Sequence, residues 1–406
     1  MLNKNQEREL AYVVLIDGIE PIPGYDRVEH AIVGGWRVIV QKDQFKVGDP
    51  AIYFEIDSKV PADRECFAFL EKRNYKVKTL KMCKTISQGL LMHADDFGWH
   101  IARTFDTVCI IDNEQISHFA NDESRFLTKL LGVTYADEDD NARKAPSVDK
   151  YKKMAMRHKK LFKNPFVQCI MRYEIGRKIM FFFFGKKKDK KNGWPTWVQK
   201  TDEERVQNMP WILTNDEKWI ATEKVDGTST TFTMKRKKFD KKELYVCSRN
   251  VCFDSIEKSC FYDSNVYWEM AQKYNIFNVL AQMLDEHPNE EWITIKGETY
   301  GAGVQRREYS ILDHDFAAFN LIFSTQGRVG TKQMIDILTP YGIPCVPVIE
   351  YEMYINQFEN VDAILAYAEG DSQLDGKPRE GIVFRTLDGA KSFKAVSNSF
   401  LLKYHG

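Results

Sequence analysis

Lys224 sits in the stretch ATEKVDGTST, residues 221–230, where an amine, a carboxylate two residues on and a glycine share one short segment. A lysine that acts as a nucleophile must be neutral, yet its unperturbed pKa is ~10.4. Nearby cations depress that value and free the lone pair, and a bound divalent metal and a second lysine would supply them. The competing reading is structural. Asp-Gly between extended runs is a hairpin signal, because both residues tolerate the positive φ of a two-residue turn.

The residues downstream of Lys224 bear on the choice. Lys224-Val225-Asp226-Gly227 is succeeded, in order, by Cys247-Ser248-Arg249-Asn250 and Lys296-Gly297-Glu298-Thr299-Tyr300-Gly301. Phe316-Ala317-Ala318-Phe319-Asn320, Glu380-Gly381-Ile382-Val383-Phe384 and Ser392-Phe393-Lys394 complete the series. Asp226 and Glu380 offer hard oxygen donors of the kind Mg²⁺ takes, partly through waters. Taken singly, each residue has an ordinary explanation. Glu298 could be a surface acid in a turn, Phe319 core packing, Arg249 a strand-end ion pair and Glu380 an edge-strand residue. No GxGxxG, Walker A, HExxH or GxSxG is present, which removes the common nucleotide-binding and hydrolase readings. The eight cysteines form no CxxC and the histidines do not cluster at ligand spacing, so neither suggests a metal site.

These residues need elements to position them. A chain of 406 residues with 43% hydrophobic and 13% aromatic content can build two cores. The first hundred residues read as short strands, at Tyr12–Ile16, Trp36–Val40, Ala51–Ile56 and Val77–Leu80, punctuated by IPGYD, Gly34-Gly35 and VGD. That pattern predicts a small barrel or sandwich, an oligonucleotide-binding (OB) barrel among them. Residues 136–147 form an acidic, Pro-containing linker. From 151 to 200 there are fifteen Lys or Arg against two acids, Glu174 and Asp189. The block is either an electrostatic footprint for a phosphate backbone or a solvated face. Within it, 166–184 ends in MFFFF but carries Arg172, Glu174, Arg177 and Lys178, which is not the ~18–20 apolar residues of a membrane span. From Trp194 onward strands and helices alternate. The helices are expected at 255–275 and at 331–342, the latter stopped by Pro340 and Gly342. The fold class is therefore α+β with antiparallel sheets.

The ordered motifs resemble those of the covalent nucleotidyltransferases, the polynucleotide ligases and mRNA capping enzymes. PIPGYDRVEHA, GGWRVIVQKDQFKVGDPAIYFEIDS, SQGLLM and KTDEERVQN (200–208) narrow this to the RNA ligase family typified by the Deinococcus radiodurans enzyme. The resemblance covers most of 10–135 and 194–404. It implies an N-terminal OB-like β-barrel over 1–135, a linker and basic insertion over 136–193, and a nucleotidyltransferase domain with antiparallel sheets over 194–406. DNA ligases and capping enzymes usually place the OB domain after the transferase domain, the reverse of this order.

The resemblance also implies roles. Lys224 would attack the α-phosphate of ATP and carry AMP. Glu223 would meet the nucleoside, Glu298 the ribose hydroxyls and Phe319 the adenine face. Arg249 would contact phosphates, Asp226 and Glu380 would hold Mg²⁺ or Mn²⁺, and Lys394 would grip the α-phosphate. Relatives often carry two lysines one residue apart in the last motif, and here Ser392 takes the first place. Lys391 or Lys403 could substitute. The expected partner is RNA with a 3′-hydroxyl end in a nicked duplex, with no membrane insertion and no obligate protein partner. A polar N-terminus, MLNKNQEREL, and unpaired cysteines point to a reducing cytoplasm. A non-catalytic RNA-binding protein of the same fold is the alternative from a different class.

Overall fold

The computed structural model describes residues 8–104, 107–112, 115–119, 126–136, 167, 194–199, 202–253, 260, 262 and 264–404. The chain divides into two compact units, one of residues 1–135 with 193–406 and one of 136–192. Apart from Ala136, Val167 and Trp194–Gln199, the acidic linker, the basic block and the 166–184 segment lie outside the described residues.

In the N-terminal part, β1 (Ala11–Leu15), β2 (Gly18–Ile22), β3 (Tyr25–Val33), β4 (Trp36–Gln41), β5 (Pro50–Phe54) and β6 (Leu90–Met92) form two three-stranded antiparallel sheets, ordered β1-β5-β6 and β2-β3-β4. Alternation along β4 buries Trp36, Val38 and Val40 and turns the residues between them outward, as a pleated strand requires. IPGYD is the tip of the β2–β3 hairpin, where Ile22 pairs with Tyr25. The strand expected at Val77–Leu80 is not formed. Val77 instead bonds the 57–58 backbone in an irregular crossing, and pairing begins only at Leu80, against Ser87.

The C-terminal part is built on two sheets. The first combines β7 (Glu204–Arg205), β8 (Lys218–Lys224), β13 (Val348–Tyr354), β14 (Gly381–Thr386) and β15 (Ser392–Val396), in the order β7-β15-β14-β8-β13. The second holds β9 (Thr228–Arg236), β10 (Lys242–Cys247), β11 (Trp292–Gly301) and β12 (His314–Phe323), in the order β10-β9-β11-β12, with a two-residue strand at each edge. All pairs are antiparallel except β7 on β15.

Each sheet has one face packed by helices. Phe232, Met234, Ile293, Ile295 and Phe316 of the second sheet meet α1 (Val266–Lys273), α2 (Ile276–Glu286) and α3 (Thr331–Leu338). Trp219, Ala221, Ile382, Phe384, Phe393 and Ala395 of the first meet α4 (Val361–Ala368) and the 206–212 segment. Period-two alternation then puts Thr222, Lys224, Val383, Arg385 and Lys394 on the opposite face of the first sheet, and Lys296 and Glu298 on the opposite face of the second.

Two sequence expectations change here. Helix α1 begins at Val266 rather than Ser255, because Asn265 caps it by accepting the Trp268 N–H; residues 254–259 are outside the described set. The Asp-Gly segment is not a hairpin: β8 and β9 belong to different sheets, so residues 225–227 step from one sheet to the other. The 331–342 helix ends as expected, with one 3₁₀ turn over Thr339–Tyr341 and Gly342 at φ +70°. Among the described residues, no helix is long and apolar enough to cross a membrane.

Candidate active site

Lys224 ends β8 opposite Gly381, and its Nζ lies 2.6 Å from Oε2 of Glu380, the residue before β14. The turn after it is fixed from the second sheet. The Asp226 N–H donates to Tyr309 Oη at 3.0 Å, and Gln305 Nε2 donates to the Gly227 carbonyl at 2.8 Å. Glycine at 227 is required by contact and not by φ, since neither Asp226 nor Gly227 has a positive φ. A Cβ there would lie 2.3 Å from the Thr299 carbonyl oxygen and 2.9 Å from Glu298 Cγ. That close approach brings Glu298 beside Lys224.

Three carboxylates thus surround one amine, and each perturbs the others. Burial, reinforced by Glu380 and Asp226, pushes the Glu298 carboxyl up to about 8. Burial and the neighbouring Glu380 push Asp226 up to about 7. Burial alone would lower the Lys224 pKa, but Glu380, Glu298 and Asp226 together outweigh it and raise the value. Without a further positive charge beside it, the amine is thus held in its protonated form. The reason is spatial: acids ring Lys224, while the next cation on the same sheet face, Lys394, is taken up by Asp202.

This excess of negative charge suits a divalent cation. Among the described residues, no group of three His, Cys, Asp or Glu is arranged to enclose a metal alone. Asp226 and Glu380 nevertheless match the way Mg²⁺ binds, through one or two carboxylates with waters and substrate phosphates completing the shell.

The cationic side of the cleft is drawn together by a segment to which the motifs assign no role. Asp202 accepts from Lys394 Nζ at 2.8 Å and from Arg249 Nη2 at 2.9 Å. Its neighbour Glu203 accepts from Arg385 at 2.6 Å, and the Gln199 carbonyl accepts from Lys296. Arg385 stands directly across β14–β15 from Ser392, on the face that carries Lys394. Asp202 and Glu203 belong to KTDEERVQN and Arg385 closes EGIVFR, so the signal was present as motif neighbours without assigned partners. Neither proposed substitute for the missing lysine is beside Lys394. Lys391 pairs with Glu217, at the end of the first sheet opposite Lys224, and Lys403 is exposed on α5 (Asn398–Tyr404), with Nζ 5.1 Å from the Tyr404 ring centre.

Phe319 owes its direction to a β-bulge. Lys296 pairs with Asn320 and Gly297 with Ala318, which leaves Phe319 as the extra residue of β12. Bulges re-aim side chains beside active sites. Phe319 packs with the cluster of Val225, Tyr309, Ala317 and Val346, and the Arg385 guanidinium lies 5.9 Å from its ring centre.

Glu223 points the other way from Lys224. Its carboxylate accepts from Ser372 Oγ and, at 2.8 Å, from the Gln373 N–H, and burial raises its pKa. It anchors the loop before Glu380 instead of facing the amine. Glu223→Ala would leave those donors unpaired and is expected to cost about 1–3 kcal/mol, read as a lowered urea midpoint.

Residues 217–405 match the RNA ligase family model, and residues 10–94 match the PHA02142 OB-fold domain model. No curated protein matches the sequence. Among solved structures, a Naegleria gruberi RNA ligase mutant with AMP and Mn aligns at 24% identity and a TM-score of 0.65, over 98% of this chain and 99% of that one. A second mutant of that enzyme, with ATP and Mn, gives the same values. The enzyme with PPi gives a TM-score of 0.64 at 24% identity, again over 98% and 99% of the two chains. The architecture is thus an OB-fold domain followed by a nucleotidyltransferase domain that matches the RNA ligase model.

Proposed function

We propose that the protein is an ATP-dependent RNA ligase of the Deinococcus radiodurans type, sealing a 3′-hydroxyl RNA end to a 5′-phosphate at a nick in a duplex. The observation that carries this reading is Lys224 against Glu380, with Lys394 on the same sheet face and Arg249 joined to it through Asp202, inside a domain that matches the RNA ligase family. The OB-fold domain preceding the transferase domain supports RNA ligase over DNA ligase or capping enzyme. The Naegleria gruberi structures with ATP, AMP, Mn and PPi support ATP and a divalent metal as the cofactors.

In this reading the neutral Lys224 amine attacks the α-phosphate, the phosphoanhydride bond breaks and pyrophosphate leaves with the electron pair. The RNA 5′-phosphate then displaces lysine to form an RNA adenylate, and the 3′-hydroxyl displaces AMP to close the strand. Lys394 offsets charge gathering on the α-phosphate oxygens, and Arg249 binds phosphate. Glu298 accepts from ribose hydroxyls, and Phe319 offers a stacking face to adenine. A divalent cation held by Asp226 and Glu380, with waters, would neutralise the acids that keep Lys224 protonated and polarise the phosphates.

The test is end joining. A nicked duplex with a 3′-hydroxyl RNA strand and a labelled 5′-phosphate, incubated with ATP and Mg²⁺, should yield the sealed strand and a transient adenylate. GTP should give neither. Failure to seal with a folded protein, or sealing with GTP alone, overturns the assignment.

A further inference from the structure

Arg249 and Lys394 belong to different sheets, Arg249 in the turn after β10 and Lys394 in β15, and one carboxylate joins them. Asp202 uses one oxygen for each: Oδ2 accepts from Arg249 and Oδ1 from Lys394. Two oxygens of one anion between a guanidinium and an ammonium is also how a phosphate group would be held. The flanking chain is tied down on both sides. Gln199 accepts from Lys296 of the second sheet, and Glu203 accepts from Arg385 of the first, a pair that is almost fully buried. Between these anchors the Asp202 side chain is 49% exposed, and the cations it bridges are 45% and 17% exposed. Burial works against its charge, but Lys394, Arg249 and Lys224 outweigh that and hold the carboxyl down at about 2. The anion is therefore permanently charged at working pH, accessible, and within the field of the nucleophile.

We propose that Asp202 is a positioning residue that stands in for a nucleotide phosphate. It holds Arg249 and Lys394 together across the cleft, yields them to the phosphates of an incoming nucleoside triphosphate, and takes back Arg249 as pyrophosphate leaves and Lys394 once AMP has passed to RNA. The proposal rests on the ligase reading for the identity of that anion. A fixed structural bridge would show no such exchange. The carboxylate competes with phosphate for the same two cations, so removing its charge while keeping its shape strengthens phosphate binding. Half-exposed ion pairs are individually weak, so the expected gain is roughly three- to tenfold.

The experiment is a calorimetric titration of the full chain with inorganic pyrophosphate, and of Lys224→Met variants with ATP, at constant ionic strength. Asp202→Asn should bind both about three- to tenfold more tightly, and Asp202→Glu should return wild-type affinity. With Lys224 intact, Asp202→Asn should lower the KM for ATP while slowing pyrophosphate release, a split that loss of a structural bridge does not produce. Unchanged or weaker binding of both anions overturns the proposal. If Asp202→Asn melts well below the wild type, Asp202→Ser is read in the same titrations by the same criterion. Pyrophosphate binding needs no chemistry, so a wild type that forms no lysyl-AMP counts against the ligase reading and leaves the titration to decide the role of Asp202.

Discussion

Lys224→Ala, incubated with ATP labelled at the α-phosphate and Mg²⁺, is expected to retain no label after denaturation, while the wild type carries label on one lysine. Removal of a nucleophile should lower the rate by roughly 10⁴-fold or more, the scale seen when covalent catalysis loses its attacking group. Lys224→Arg should fail as completely, because a guanidinium stays charged and is no nucleophile. The cleft holds a further amine whose pKa is better suited: burial and Arg328 lower Lys296 to about 8. Its position argues against it. Lys296 is buried in mid-strand and donates to the Gln199 carbonyl, whereas Lys224 ends its strand beside the carboxylates that can take a metal. Lys296→Met should therefore keep the label. Label persisting on Lys224→Ala, or lost from a folded Lys296→Met, would move the nucleophile to the other sheet.

The contrast between these two lysines also marks how far the amino-acid sequence alone could reach. Motif order singled out Lys224, Glu380, Glu298 and Lys394, because the order of distinctive local residue types can be read along the chain. It could not disclose that residues 225–227 cross between sheets. Asp-Gly is compatible with either connection, and the choice is made by pairing with Gly381 and Thr299, many residues away. Nor could it give the charge state of Lys224. That depends on Glu380 and Glu298 arriving from 156 and 74 positions downstream, and on Asp202 holding Lys394 elsewhere. The direction of Glu223 follows a simpler rule: adjacent strand residues face opposite ways, so its carboxylate lies on the face away from Lys224. Around Ser392 the sequence offers Lys391 and Lys403 as neighbours in the chain, whereas the fold pairs Lys391 with Glu217, leaves Lys403 exposed and sets Arg385 across the strand pair from Ser392.

Lys394→Met is expected to slow lysyl-AMP formation by about 10²–10³-fold, with a smaller change in the KM for ATP. The asymmetry arises from where the charge is. Phosphoryl transfer offers the protein little covalent work beyond the nucleophile, so stabilising charge on the phosphoryl oxygens is most of what remains. Lys394 faces the cleft from β15, across one intervening strand from β8, opposite Val383 and two register positions from Gly381, the partner of Lys224. It is only 17% exposed, so its charge acts with less screening than a surface lysine would. Arg249, at 45%, should matter less to the rate and more to binding, with Arg249→Ala raising the KM by about tenfold or less. Single-turnover labelling across a range of ATP concentrations separates the two. If Lys394→Met keeps the wild-type rate at saturation and loses only affinity, the ammonium binds the ground state and some other group stabilises the transition state. Arg385, facing Ser392 across the strand pair and held by Glu203, is then the cation to examine, because it lies on the same sheet face as the nucleophile.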